Sequence, residues 1–179
     1  MPATITILRT LAGLVALTLP LGACSVDVDQ TPSGEHSTVD IRTPAGSLSV
    51  NTDVDVREAG LPPYPGARLV RRGDDVESAN VNIATPWFGL KVIAAEFEAD
   101  DEPGQVLEFY RKALQAYGPV TECRGEVDFR GDKPVCKENA SADEIQLVTG
   151  TEEHQRVVVV KSRGRGSEFA LVQVETQGT

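Results

Sequence analysis

Cysteines, histidines and adjacent carboxylates are the residues of this chain able to bind metal, exchange electrons or move protons, and their spacing limits what they can do. Cys123 and Cys136 flank a polar segment, residues 124–135, that holds Gly125, Gly131 and Pro134. Zinc would need four ligands, and the two histidines, His36 and His154, lie far from both cysteines in the sequence. A catalytic dithiol would favour Cys-x-x-Cys spacing, which this pair lacks. His36 and His154 sit among polar neighbours and read as solvated side chains. Asp74-Asp75 and Asp100-Asp101 are adjacent carboxylates that diverge in a turn, and no calcium-loop spacing surrounds them. No serine stands in a Gly-x-Ser-x-Gly elbow and no glycine-rich loop precedes a helix to cradle phosphate; Gly164-Arg165-Gly166 is a hairpin turn. No catalytic residue, metal ligand or cofactor is therefore assigned from sequence.

Those residues must be carried somewhere, and the N-terminus indicates where. Residues 1–23 contain no acid and one side-chain cation, Arg9, and run almost wholly apolar from Leu11 to Leu21. A short apolar stretch closing on small residues reads as a secretory signal, too short for a bilayer span of about 20 residues. Pro20 interrupts any helix just before the end of the run. The closing residues, Leu21-Gly22-Ala23-Cys24, resemble the lipobox of bacterial lipoproteins. The resemblance implies cleavage after Ala23, a thioether-linked diacylglycerol on Cys24 and usually a third acyl chain on its amine. It places the protein in the bacterial cell envelope, held to the membrane by lipid. Ser25, where an aspartate commonly signals inner-membrane retention, favours the outer membrane facing the periplasm if the cell is Gram-negative. With Cys24 committed to lipid, Cys123 and Cys136 become an even pair in an oxidising compartment, and a disulfide is expected.

The chain carries 27 acids against 17 lysines and arginines, a net charge of −10 that becomes −11 without residues 1–23 and their one cation. Such a surface repels phosphate backbones, which excludes nucleic acid as a partner. Residues 24–60 are rich in Thr, Ser, Asp, Pro and Gly and read as a tether. Within it Val39-Asp40-Ile41-Arg42 and Ser47-Leu48-Ser49-Val50 alternate around Thr43-Pro44-Ala45-Gly46, one short hairpin.

A single folded domain is expected over 61–179, of α+β class. Its antiparallel sheet would have five to seven strands, with one main helix, about 102–117, packed on one face. Val106, Tyr110, Ala113, Leu114 and Tyr117 make the helix's apolar stripe, Asp100-Asp101-Glu102-Pro103 supplies capping acids and a first-turn proline, and Gly118-Pro119 ends it. Strands are expected at Ala67–Arg72, Ser78–Thr85, Leu90–Glu98, Val120–Cys123, Ile145–Thr149, Arg156–Lys161 and Glu168–Thr176. The four valines 157–160 are too apolar for a sheet edge. Trp87 and Phe88 share a turn and form a candidate binding tip, although folding back over the sheet edge would bury more of their surface. Tyr64-Pro65-Gly66-Ala67 and the Val106–Leu114 helix resemble small exported bacterial proteins, a resemblance that implies no activity.

The functional expectation is a lipid-anchored envelope protein, a non-enzymatic binding or assembly module whose partner is an envelope protein or a small ligand. The alternatives are an envelope enzyme whose site assembles only in the fold, and a structural envelope protein acting through self-association.

Overall fold

The computed structural model describes residues 24–30, 37–52, 54–72, 75–138 and 143–178. The expected signal peptide with Leu21, Gly22 and Ala23, and also His36 and the Gly73-Asp74 turn, lie outside the described residues.

The described residues are mostly β, and most of their strands join one antiparallel sheet of eleven. This corrects the expected α+β class with five to seven strands. Much of the excess comes from residues read as a tether. β1 (Ser25–Gln30), β2 (Ser37–Thr43) and β3 (Gly46–Asn51) form a meander that joins β7 (Ser78–Ala84). Their Val-polar alternation is strand patterning, and it is stable here because β7 supplies a ladder that a lone hairpin would lack.

From β7 the sheet continues through β8 (Phe88–Ala99), β13 (Gly166–Gly178), β12 (His154–Arg163), β11 (Glu144–Gly150) and β9 (Thr121–Arg130), ending on β10 (Lys133–Glu138). β4 (Arg68–Leu69) takes over the ladder beyond the end of β7, and β5 (Arg71–Arg72) pairs with β6 (Asp75–Val76) in a small hairpin. The valines of β12 lie inside the sheet, between β11 and β13.

One face of the sheet is covered. α1 (Pro103–Leu114) buries Val106, Leu107, Tyr110 and Leu114 against Ala95, Phe97, Phe169, Leu171, Val158, Val160 and Leu147. Each such aliphatic or aromatic side chain contributes about 1.5–3 kcal/mol by leaving water. The aromatic centre is Phe169, 5.5 Å from Phe97 and 5.6 Å from Tyr110 between ring centres. A 3-10 turn, Val56–Ala59, packs beside it through Val56 and Ala59.

The helix start departs from the expected capping. Glu102 is the N-cap and makes no side-chain cap bond. The Tyr64 hydroxyl donates to Asp101 at 2.8 Å, and Arg68 pairs with Asp100 at 3.0 Å. The aspartates thus tie the helix start to the proline-rich segment and to β4. A second 3-10 turn, Gln115–Tyr117, extends the helix, and the Tyr117 ring lies under the Arg156 guanidinium, 3.9 Å from the ring centre.

Cys123 and Cys136 are bonded, with Cα atoms 5.3 Å apart. Cys136 pairs in register with Val127, four residues beyond Cys123 on the same strand. A straight strand would separate those positions by about 13 Å. β9 therefore bends, and Gly125, at φ +91°, is where the backbone can do so without a Cβ penalty. The polar segment between the two cysteines is a hairpin arm. Its tip residues Asp132, Lys133 and Pro134 line a cleft of about 530 Å³ together with Gly150 and Thr151 at one corner of the sheet.

Candidate functional site

The other face of the sheet carries the distinctive surface. In an antiparallel ladder directly paired residues point to the same side, so the register shows which side chains share a face. Val28, Val39, Val50, Val81, Val92 and Val174 pair one to the next across six adjacent strands. Beside this valine row runs a second, Val26, Ile41, Leu48, Ile83 and Leu90. A third, Ala79, Ala94, Val172, Val157 and Val148, continues toward the arm. The described helical segments all pack on the opposite face, so the central members of these rows are only half-buried, and Val26 and Val28 are exposed. Cys123 and Val148, next to the disulfide arm, are buried.

The apolar rows end at a charged cluster. Arg68 lies 3.4 Å from Glu98, Arg72 lies 2.9 Å from Glu96 and 3.3 Å from Glu77, and Arg163 pairs with Glu98. At the centre is Glu168, only 12% exposed, with the Lys161 ammonium at 2.6 Å, Arg163 at 3.6 Å and Arg72 at 3.8 Å. The Lys161 hydrogen bond, aided by the nearby guanidinium groups, holds the Glu168 carboxyl below its ordinary range, and the same bond raises Lys161. A group lowered in this way stabilises the fold above its ordinary value, and that contribution disappears as pH falls through the lowered value. The Glu168→Gln variant is therefore expected to be about 1–2 kcal/mol less stable at neutral pH, between an exposed pair and a buried one. The deficit should vanish in acid, and equal deficits in chemical unfolding at both pH values would refute this.

Glu96, Glu144, Lys161 and Glu168 also line a cleft of about 220 Å³ floored by Val159 and Ala170. A larger shallow cleft of about 600 Å³ lies on the helix side between Pro62, Tyr64, Phe109 and Lys112. In that region burial and the Asp101 bond push the Tyr64 phenol up to about 12. Tyr110 is wholly buried with its hydroxyl unpaired, and burial raises its phenol above the ordinary value. Neither cleft brings a nucleophile against a base. Among the described residues no group of three or more His, Cys, Asp or Glu is placed to hold a metal ion, and no helix is long and apolar enough to cross a membrane.

The residues singled out from sequence fall in four places. Cys24 is exposed and unbonded at the head of edge strand β1. Cys123 and Cys136 fix the arm. Trp87 and Phe88 occupy the β7–β8 turn with 67% and 42% of their surface exposed, so the Trp87 ring does not fold back over the sheet edge. His154 opens β12, exposed. The valine rows are the part that sequence reading missed. Alternation is visible in each segment, but no segment states which valine its neighbour will meet.

Comparison with known families, curated proteins and solved structures finds no match to this chain.

Proposed function

We propose that the protein is a lipid-anchored bacterial envelope protein acting as a non-enzymatic binding module, and that its partner is an apolar surface of another envelope protein. The observation that carries this reading is the row of six valines on a sheet face that no described helical segment covers. The row crosses five strand spacings, about 24 Å, wider than a small ligand needs and comparable with the width of a protein contact. Large uncovered apolar patches on a folded domain mark interaction surfaces. The charged cluster at one end supplies a polar rim. Cys24, exposed at the head of β1 and outside the disulfide, is free for the lipid that its sequence context implies.

Self-association through the β1 edge is disfavoured by β1 itself. Asp27 and Asp29 sit on that edge, and a second copy pairing there would oppose like charges.

The test is site-specific photo-crosslinking in cells with the reactive group at Val81, on the valine face, or at Ser49, on the other face. Crosslinks from Val81 to one protein of defined mass, absent from Ser49, are the expected result. Equal crosslinking from both positions, products of the chain's own dimer mass, or none from Val81 would overturn the reading.

A further inference from the structure

Resting on the lipid-anchor reading, we propose that the Trp87–Phe88 turn is a second membrane contact, seated in the headgroup layer of the bilayer that holds Cys24. The sheet register brings the two together. Ser25, Arg42, Ser47, Ala84 and Gly89 pair in sequence across β1, β2, β3, β7 and β8, so they form one line at one end of the sheet. Cys24, the Thr43–Gly46 turn and the Thr85–Phe88 turn all project beyond that line. β1 and β8 are four strand spacings apart, about 19 Å, so a bilayer under Cys24 also lies under the aromatic turn.

The turn displays its rings without help from a partner. The Thr85 amide donates to the Phe88 carbonyl at 2.8 Å, the Thr85 hydroxyl donates to the same carbonyl at 2.9 Å, and the Phe88 amide donates back to the Thr85 hydroxyl oxygen at 2.9 Å. A turn closed in this way loses little entropy when its rings enter another phase. Tryptophan favours the membrane–water boundary because its ring is apolar and its N–H still finds polar partners.

Charge agrees with this orientation. Residues 43–46 and 85–88 carry no charged side chain, and Arg42, the charged residue next to the first turn, is a cation. The acidic run Asp100-Asp101-Glu102 lies past the other end of β8, about 40 Å away along a twelve-residue strand. Anionic headgroups therefore meet uncharged turns along the β1–β8 part of this end, while the acidic Glu152-Glu153 turn stands beside β13, where the Glu153 carbonyl accepts from the Thr176 amide at 2.8 Å.

Trp87 is the single tryptophan, so emission reports on this turn alone. Wild-type lipidated protein, purified from membranes, is reconstituted into vesicles of phosphatidylcholine and phosphatidylglycerol. The expected result is blue-shifted emission that falls at least twofold when the phosphatidylcholine is brominated on its acyl chains. Emission of a water-exposed indole, unquenched in vesicles that retain the protein, would overturn the contact while leaving the anchor intact. A blue shift without bromine quenching would also overturn it, since the ring would then be covered by protein. Failure of the anchor is read separately, as a Cys24→Ala protein that stays with the membranes.

Discussion

The Cys24→Ala variant is expected to leave the membrane fraction almost completely and to be recovered soluble, while the wild-type protein is expected to sediment with membranes. The expected effect is large because the acyl chains dominate the affinity. Each buried methylene contributes about 0.8 kcal/mol, one chain of myristoyl length binds only marginally, and two or three chains bind stably. Without them the protein keeps only the Trp87–Phe88 turn, where two rings contribute about 3–6 kcal/mol at full burial before the cost of association is subtracted. That sum gives transient contact, not anchoring. The measurement is fractionation after a salt and carbonate wash, with detergent release as the control. Tight retention of Cys24→Ala would show that something other than lipid on this residue holds the protein.

Replacing Cys123 and Cys136 together by serine lowers the unfolding free energy by about 2–5 kcal/mol. The residues are separated by 13 positions, a closure worth about 3 kcal/mol in the chain-entropy view. The structure adds a reason for the upper part of that range. The bond holds a bent arm whose hairpin bonds mostly to itself, so its position depends on the staple and on the bend at Gly125. Loss of the bond frees the arm and opens the neighbourhood of Val148, one of the most buried residues on that face. Urea unfolding followed by circular dichroism gives the stability change. Hydrogen exchange should localise the extra opening to residues 126–138, with β8 and β13 protected as before. An unchanged midpoint, or loosening spread evenly over the sheet, would refute the arm's dependence on the bond.

The sequence made much of the local structure legible. Helix α1 is readable from Val106, Tyr110 and Leu114, because a 3.6-residue period and a first-turn proline are local properties. β12 is readable as an inner strand because four consecutive valines leave no wet face. The cysteine pair is readable once Cys24 is assigned to lipid. The capping role expected of Asp100 and Asp101 failed because Tyr64 and Arg68, distant in sequence, compete for the same carboxylates. The strand count failed for a related reason. Val26-Asp27-Val28 and Leu48-Ser49-Val50 have strand alternation but tether composition, and composition alone cannot reveal that β7 has a free edge to receive them.

The sequence by itself determined the disulfide partners, the helix and the alternation of each strand, because each depends on side-chain chemistry or on spacing within a few residues. Only the tertiary structure decided that six valines from six strands form one row, that the aromatic turn shares an end of the sheet with Cys24, and that β9 bends into the disulfide arm. These depend on register, in which a slip of one residue sends every side chain to the opposite face, and register is fixed by pairings between residues far apart in the chain.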